Sequence, residues 1–499
     1  MAERRFAAVD LGAQSGRVAV GRFAGDRIEL EIAHRFVNQG VWLPDGLHWN
    51  VAQLFAETLR GLALAASGGA LDGVGVDSWG CDYALLDRDF RMLGLPYHYR
   101  DPARTAPIWS ERAFARMSRH QMYRHTGIQT MPINTVFQLV SEADGAAARA
   151  AGRIALVPDL FGLWLTGTLA NELTIASTTG LLEAAEPRWA RELIERLGLP
   201  GEPFDGEVVS PGVELGPILA GHTPAGDAVG SIVRTVAGHD TACAFAAAPV
   251  LGPGSAVLSS GTWSLLGIEL TAPELGQEAE AFNLTNERGW GSTVRLLRNV
   301  MGMWLVEECR REEGSRAPSY EQLFAAAAAA DPEAPLFDPD APSLLHPGSM
   351  TDRIGALYRA AGEPLPGDTG ELIRSILTSL ACKYRLVLEQ LEAVSGRRID
   401  RLQVVGGGSR NALLCQITAD ILGRDVLTGP AEATLLGNVL VQLAATGEVT
   451  TLAEMRELSA RSFSVERYTP SASDAAESTY QRFLDVTGVT RGHALQTGV

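Results

Sequence analysis

Residues 10–17, with the sequence DLGAQSGR, combine groups that suit the binding of phosphate. The glycines permit a sharp turn, and successive backbone N–H groups in such a turn form a concave site for anions. Ser15 adds a hydroxyl donor, Arg17 adds a fixed positive charge, and the Asp10 carboxylate is placed to hold Mg²⁺ through water. One interpretation is a polyphosphate site, and the alternative is a plain glycine-rich hairpin.

A second turn of similar character lies in the other half of the chain. Residues 258–263, LSSGTW, place small hydroxyl side chains around Gly261. Taken alone, this segment is better explained by an ordinary hairpin. Two such turns facing each other across a cleft would enclose a polyphosphate from both sides, so the pair favours a phosphate site more strongly than either turn does.

A run of three glycines at 406–408 follows a predicted strand at 402–405 and precedes a helix predicted to begin near Ser409. Because these residues lack side chains, a planar base or a ribose can approach the backbone there. The dinucleotide-binding pattern GxGxxG is absent, since position 411 is Asn. The run also lacks the Gly-Lys-Ser/Thr ending of a Walker A loop, so both common nucleotide motifs are excluded here.

Asp240 is the candidate general base. It follows a strand predicted at 231–236 and precedes a helix, and an acid in that position can take a proton from a substrate hydroxyl. The alternative is an ordinary helix N-cap, which is a common place for Asp. His239 beside it is interpreted either as a hydrogen-bond partner of sugar hydroxyls or as a structural histidine.

Residues 75–83, GVDSWGCDY, place two carboxylates and two aromatic side chains in one short segment. Polyols are bound by hydrogen-bond acceptors together with an aromatic platform, and this segment offers both. An ordinary turn with buried aromatic residues is the alternative. Cys81 is interpreted as a packing residue, and the sequence shows neither a Ser/His/Asp nor a metal-ligand constellation elsewhere.

The same order of elements is predicted in both halves of the chain. In the first half the apolar patterns predict three strands at 6–10, 17–23 and 28–36. A helix capped by Asn50 follows them, and then a fourth strand at 74–77. In the second half they predict strands at 255–260, 263–270 and 402–405, with a long helix over 371–394 before the last strand. A Rossmann fold would place a helix directly after its first strand, so that fold is disfavoured.

This weak internal similarity predicts two related domains with a seam near 249–253. We expect an N-terminal domain at 1–248 that carries the sugar site and the base, a C-terminal nucleotide-binding domain at 249–465, and a tail at 466–499. The alanine-rich and then proline-rich stretch at 325–347 is interpreted as a peripheral insertion or loop.

Composition and charge restrict the classes of function. The 499 residues are 46% hydrophobic and 20% charged, as in globular proteins, and the formal net charge is −17. That charge argues against nucleic acid and against anionic membranes as partners. The five cysteines are scattered and form no CxxC pair, which argues against structural zinc and against a disulfide framework. With no signal-peptide core or membrane span evident, a cytoplasmic location is expected.

Taken together, these segments resemble the FGGY carbohydrate kinases, which belong to the sugar kinase/heat-shock/actin superfamily. The resemblance extends from Phe6 to about Gly447. It is carried by ordered motifs at 9–17, 75–80, 95–101, 238–242, 258–264, 297–304 and 406–411.

The resemblance implies an α/β protein with two ribonuclease-H-like (actin-like ATPase) domains and an interdomain catalytic cleft. It implies ATP and a ketose or polyol as substrates with Mg²⁺ as cofactor, and L-rhamnulose is the expected acceptor. Carried over by position, Asp240 would be the catalytic base. ATP would be bound by Ala13, Gln14, Ser15, Gly16, Arg17, Thr262 and Gly407; the sugar would be bound by Gly80, His239, Thr241 and Asn299. Mg²⁺ is expected near Asp10 and Asp77, held through water.

Two residues depart from the family pattern. Gln14 stands where Ser or Glu is frequent, and Glu307 stands where a Gln can contact the nucleotide. Because Glu307 is anionic, we do not expect it to bind ATP. Two alternatives stay open: a related kinase acting on L-fuculose, xylulose or a polyol, and a non-catalytic, nucleotide-operated binding protein of the actin type. The sequence does not indicate the oligomeric state.

Overall fold

The structure, a computed structural model, describes residues 3–249, 252–471 and 474–489. The strands of the first half are β1 (Arg4–Leu11), β2 (Ser15–Phe23), β3 (Ile28–Val37), β4 (Gly40–Leu43), β5 (Gly46–Trp49), β6 (Gly73–Ser78), β7 (Tyr83–Leu86), β8 (Arg153–Leu156), β9 (Asn171–Glu172), β10 (Val208–Val209), β11 (Glu214–Pro217) and β12 (Ile232–His239). Its α-helices are α1 (Val51–Ala66), α2 (Pro107–Phe114), α3 (Arg119–Thr126), α4 (Thr135–Glu142), α5 (Ala146–Ala150), α6 (Val157–Thr166), α7 (Leu173–Ala176), α8 (Arg191–Arg196) and α9 (Asp240–Ala246).

The second half repeats this mixture of strands and helices. Its strands are β13 (Ser255–Ser260), β14 (Trp263–Leu270), β15 (Thr285–Arg288), β16 (Val294–Met301), β17 (Arg401–Val405), β18 (Asp425–Thr428) and β19 (Glu466–Tyr468). Its α-helices are α10 (Gln277–Ala281), α11 (Trp304–Glu312), α12 (Tyr320–Ala329), α13 (Met350–Ala361), α14 (Thr369–Ser395), α15 (Ala412–Leu422), α16 (Ala433–Ala445), α17 (Leu452–Ser462) and α18 (Asp474–Thr487).

One large sheet forms the core of each half, and the two sheets share a central order. The first runs β11-β12-β6-β1-β2-β3, and the second runs β15-β16-β14-β13-β17-β18-β19. In each, the first two strands along the chain pair antiparallel, and a later strand joins the first in parallel: β6 beside β1, and β17 beside β13. A central strand of this kind is covered on both faces, which explains the nearly continuous apolar run of β1.

Two long helices begin and end where the sequence supplies capping groups. The side chain of Asn50 accepts a hydrogen bond from the Gln53 N–H, as predicted for the start of α1. Asp368 caps α14 by accepting from the Glu371 N–H, and α14 ends at Gly396 in the left-handed conformation. Eighteen of the 27 residues of α14 are buried, and the helix packs against β14 and β16 of the second sheet.

Two parts of the C-terminal half differ from the sequence interpretation. The stretch at 325–347 is not a peripheral loop throughout, because α12 packs on α14 and buries Leu323 and Ala327. Residues beyond 465, set apart as a tail, provide β19 at the edge of the second sheet and α18, which packs on α14 and α15. The predicted domain seam includes residues 250 and 251, which lie outside the described residues, so the 248/249 boundary stays a prediction.

Helix α16 of the C-terminal half joins the two halves. It packs on α9 and on strands β1, β6 and β12 of the first sheet. The Asn438 side chain donates to the Asp77 carboxylate at 2.6 Å, and the Gln442 side chain donates to the Ala7 carbonyl at 3.0 Å. None of the helices in the described ranges combines the length and apolarity that a membrane span requires.

Replacement of Gly437 by Ala is expected to destabilise the contact between α16 and α9. An added Cβ at this position would lie 1.9 Å from the backbone carbonyl oxygen of Cys243, and backbone cannot yield as a flexible side chain does. Overpacking of this kind costs about 1–3 kcal/mol, so the midpoint of urea unfolding falls in Gly437→Ala. The control is Gly355→Ala in α13, where the nearest atoms would be 3.7 Å away and helix propensity favours Ala. A Gly437→Ala protein as stable as the wild type would contradict this account of the packing.

Candidate active site

A cleft of about 740 Å³ lies between the two halves and is lined by residues of both. The residues predicted for the site that line it are Asp10, Ala13, Gln14, Ser15, Arg17, Gly80, His239, Asp240, Thr241, Thr262, Asn299 and Gly407. Two predicted residues, Gly16 and Asp77, do not line it. The structure therefore brings together segments that are separated by up to 400 residues in the chain, while their individual roles stay predictions.

The two turns proposed for phosphate binding are in direct contact. The first joins β1 to β2 and is closed by the Gly12 N–H, which donates to the Ser15 carbonyl at 3.1 Å. Across the cleft, the Thr262 hydroxyl donates to Gln14 Oε1 at 3.1 Å. Gln14, a departure from the family pattern, thus bridges the two halves.

Gly16 has a packing role that explains why only glycine fits. It pairs with Leu11 of β1 and with Phe36 of β3. A Cβ at this position would lie 2.2 Å from the Phe36 ring. The glycine therefore allows β2 to approach that ring, and any contact of its backbone with ATP stays a prediction.

Asp10 lies buried at the end of β1, beside the first turn. Arg17 Nη1 lies 2.9 Å from its Oδ2. Burial raises the pKa of Asp10 to about 6, with the charges of Asp240 and Glu432 adding to the effect and Arg17 opposing it. A buried carboxylate beside other acids is the kind of group that a cation stabilises.

Asp77 is less accessible than the sequence suggested. It lies beside Asp10 on the parallel strand β6, is fully buried and accepts from Asn438. Its Oδ1 has no hydrogen-bond partner among the described residues, and burial together with the charge of Asp10 raises its pKa. No set of three or more His, Cys, Asp or Glu side chains in the described ranges is arranged to hold a metal ion.

Asp240 is the first residue of α9 and lies in the cleft directly after β12. Its Oδ1 accepts from the Thr241 N–H and the Thr241 hydroxyl and lies 3.3 Å from His239 Nε2. The side chain keeps 29% of its surface exposed, whereas that of His239 keeps 7%. Asp240 is not the N-cap of α9, since that position belongs to His239. The strand β12 extends to His239, three residues beyond the predicted end.

A buried carboxylate fixes the backbone that leads to Asp240. Glu172 accepts from the Gly238 N–H at 2.9 Å and from three donors of α7, namely the N–H groups of Thr174 and Ile175 and the Thr174 hydroxyl. Burial raises the pKa of Glu172 to about 7. The same Thr174 hydroxyl accepts from the His239 N–H, so two consecutive peptide groups before Asp240 are anchored.

The segment at 75–83 contributes one aromatic ring to the cleft, that of Trp79, but not the carboxylates that were predicted as acceptors for a polyol. Trp79 lines the cleft, whereas Asp82 lies behind it. Asp82 accepts from the indole N–H groups of Trp49 and Trp79 at 2.6 and 2.9 Å, from the Tyr99 N–H and from Gln138. Asp82 therefore positions the rings instead of facing a ligand.

Residues that the sequence analysis missed complete the cleft. Gln129 holds Asn299 from the opposite half: its Oε1 accepts from the Asn299 N–H and side chain at 2.9 and 3.1 Å. Tyr320 and Phe324 of α12 line the cleft with the glycines at 406–408. No local sequence motif indicated Gln129 or the aromatic pair. The only available signal was the spacing of Tyr320 and Phe324, which lie one helical turn apart.

The structure refines two predictions about the proposed nucleotide site, one for Glu307 and one for the start of the helix after the three glycines. Glu307 does not line the cleft; it accepts a hydrogen bond from the Tyr320 hydroxyl and lies 3.6 Å from Arg310. Asn411 is the N-cap of α15, which begins at Ala412 and not near Ser409, because a short 3₁₀ turn occupies 407–410.

Comparison with known proteins identifies the family. The profile of the N-terminal domain of the FGGY family of carbohydrate kinases matches residues 6–245, and that of its C-terminal domain matches 256–446. A protein named rhamnulokinase from Bacteroides thetaiotaomicron is 42% identical over 486 residues, which is 96% of this chain and 99% of that protein. Rhamnulokinase from Enterococcus faecalis is 39% identical over 97% of this chain and 98% of its own.

Solved structures share the fold over nearly the whole chain. A xylulose kinase from Lactobacillus acidophilus superposes with a TM-score of 0.77 at 15% identity, covering 96% of each chain. The glycerol kinase of Plasmodium falciparum, solved with ADP, gives a TM-score of 0.74 at 14% identity, covering 98% of this chain and 99% of that one. The predicted fold of two actin-like α/β domains is confirmed, and the chain belongs to the FGGY family of carbohydrate kinases.

Proposed function

We propose that this protein transfers the γ-phosphoryl group of ATP to the 1-hydroxyl of L-rhamnulose, giving L-rhamnulose 1-phosphate and ADP in L-rhamnose catabolism. The observation that carries the proposal is the position of Asp240, an accessible carboxylate in the same cleft as both phosphate-type turns. The full-length similarity to proteins named rhamnulokinase supports this choice of sugar. We place the reaction in the cytoplasm.

Asp240 is proposed to accept the proton of the reacting hydroxyl as it attacks the γ-phosphorus in line. Contacts to Oδ1 from Thr241 and His239 hold the carboxylate in one orientation, which is what a base at the start of a helix needs. Phosphoryl transfer depends mainly on positioning and on neutralising charge. Thr262 and the backbone of 13–17 are proposed to contact the phosphates, and Gly407 the adenosine.

The donor set fits a magnesium ion that is held mainly by the nucleotide. Mg²⁺ is usually bound through one or two carboxylates, several waters and substrate phosphates, and Asp10 lines the cleft beside the first turn. When bound, Mg²⁺ neutralises charge on the β- and γ-phosphate oxygens. We propose that Asp10 holds it through water, whereas Asp77, which lies behind Asp10 and does not line the cleft, is no direct ligand.

ADP release tests this function directly. The purified protein is assayed with MgATP against L-rhamnulose, L-fuculose, D-xylulose, L-ribulose and glycerol, with a no-sugar control. We expect kcat/KM for L-rhamnulose to exceed that for the other acceptors by at least about tenfold, the usual discrimination for a change in pocket contacts. Highest activity on another sugar would overturn the substrate assignment. Absence of sugar-stimulated release from folded, ATP-binding protein would overturn the kinase assignment in favour of a nucleotide-operated binding protein.

A further inference from the structure

Glu287 on β15 is a buried acid at the cleft to which the sequence analysis gave no role. Its side chain lines the cleft while the residue is only 3% exposed. It belongs to the C-terminal half, yet it lies against His239 of the N-terminal half. His239 separates it from Asp240: Nε2 lies 3.3 Å from Asp240 Oδ1, and Nδ1 lies 3.2 Å from Glu287 Oε2.

The surroundings of Glu287 favour its ionised form but leave one of its carboxylate oxygens without a hydrogen-bond donor. Arg295, which is fully buried, places Nη2 3.2 Å from Glu287 Oε2. Burial acts to raise the pKa of Glu287, but His239, the charge of Arg295 and the Asn299 side chain outweigh it and lower the pKa below its ordinary value. Neither contact has the geometry of a hydrogen bond, so Oε2 has no hydrogen-bond partner among the described residues.

Two buried carboxylates nearby, Asp82 and Glu172, differ in this respect. Asp82 accepts from four protein donors, and Glu172 also accepts from four. Arg295 directs its N–H groups mainly elsewhere, donating to the Arg288 carbonyl at 2.9 and 3.1 Å and lying 3.2 Å from His239 Nδ1. A buried ionised oxygen left without a donor is costly, and such a group in a cleft calls for a donor from a ligand.

We propose that Glu287 is a sugar-binding residue whose carboxylate accepts a hydrogen bond from a non-reacting hydroxyl of the acceptor. The inference rests on the proposed function and names a residue that selects the substrate. Asp240 and Glu287 lie on opposite sides of one imidazole ring, so a polyhydroxy chain that offers its reacting hydroxyl to Asp240 reaches Glu287 with another. Sugars lacking that second hydroxyl leave the carboxylate unpaired and are rejected.

The test combines a variant with modified sugars. Glu287→Gln keeps the shape but replaces the charged acceptor, and we expect kcat/KM for L-rhamnulose to fall about 10- to 100-fold, the value of a hydrogen bond to a charged group. The KM for ATP is expected to stay within about twofold of the wild-type value, because the change touches sugar binding only. Analogues of L-rhamnulose that lack one hydroxyl at C3, C4 or C5 are then compared in both proteins.

Coupling between the two changes identifies the contact. One analogue should lose about 10- to 100-fold in the wild type, and the same analogue should lose less than about threefold further in Glu287→Gln, since the contact is already gone. Losses that multiply for every analogue would overturn the proposal. So would a variant whose kcat/KM for L-rhamnulose lies within about threefold of wild type.

Controls separate this inference from folding and from the proposed function. Glu269→Gln makes the same chemical change on β14 of the same half, where Glu269 pairs with Arg456 at 2.7 Å outside the cleft, and it should keep wild-type kinetics. Circular dichroism and ATP titration verify folding. If Glu287→Gln does not fold, Glu287→Asp takes its place, because it keeps the charge near Arg295 and is expected to show the same coupling. Wild-type protein inactive on L-rhamnulose contradicts the proposed function, whereas equally active wild type and Glu287→Gln contradict only this inference.

Discussion

Replacing Asp240 by Asn is expected to lower turnover with saturating sugar and ATP by a factor on the order of 10² or more, the usual size of a general-base effect. The substitution keeps the size of the side chain, and an amide oxygen can still accept from the Thr241 N–H, as Oδ1 of Asp240 does. The lost property is the capacity to take a proton. Because the change lies at the sugar end of the reaction, affinity for ATP should be largely unchanged.

Single-turnover ADP formation and ATP titration calorimetry measure the two quantities separately. The matched control is Asp89→Asn, the same change on an exposed turn outside the cleft, which should keep wild-type turnover. Near-normal turnover in Asp240→Asn would show that another group accepts the proton. A fall that comes with lost ATP binding would instead indicate that Asp240 mainly shapes the nucleotide site.

The parts of the fold and site that could be predicted are those with local causes. Strand patterns and turn chemistry at 10–17 and 259–262 depend on neighbours in sequence, and both turns form hairpins that meet through Gln14 and Thr262. Asp240 follows its strand and begins its helix as predicted, because glycine and acid signals mark that junction. The repeated element order was likewise enough to predict two related sheets.

The parts that could not be predicted depend on partners far away in sequence. The sequence predicts Asp77 as an acid at a strand end near the metal. In the structure the Asn438 side chain of α16, 361 residues later, donates a hydrogen bond to its carboxylate. The sequence predicts Asp82 as a hydrogen-bond acceptor for the sugar. In the structure its oxygens accept hydrogen bonds from Trp49, Gln138 and the Tyr99 backbone. Glu287 and Gln129 carry no motif, and only the packing of β15 and β16 against the first half reveals them.

Helix α16 of the C-terminal half packs on both the sheet and the proposed base of the N-terminal half, so the positions of that sheet and base depend on the C-terminal half. It covers β1 and β6, whose ends carry Asp10 and Asp77, and it packs on α9, whose first residue is Asp240. A shift of α16 would therefore be felt by all three acids. Domain closure is a step in the turnover of many enzymes, and here this helix is the element through which movement of the C-terminal half would reach the acids.

Two neighbouring glycines offer a sharp test of the nucleotide site. Gly407 and Gly408 lie in the same 3₁₀ turn, and both line the cleft. A Cβ at Gly407 would meet no atom within 4 Å, whereas a Cβ at Gly408 would lie 2.0 Å from the Ser260 hydroxyl oxygen and 2.6 Å from Ser260 Cβ. One alanine therefore enters open space, and the other collides with Ser260 at the end of the neighbouring strand β13.

Gly407→Ala should leave stability within about 0.5 kcal/mol of wild type while raising the Kd for ATP at least about tenfold, because the methyl group occupies space proposed for adenosine. Gly408→Ala should lower the free energy of unfolding by about 1–3 kcal/mol, since the 406–408 turn must move away from Ser260. Urea unfolding and ATP titration of both variants measure these effects. Normal ATP affinity in a stable Gly407→Ala protein would contradict the adenosine contact, because among the described residues the methyl group meets no atom within 4 Å and bound adenosine would be its only obstacle. The converse result for Gly408, wild-type stability with an intact site, would mean that the two turns do not pack as closely in solution as their contact at Ser260 requires.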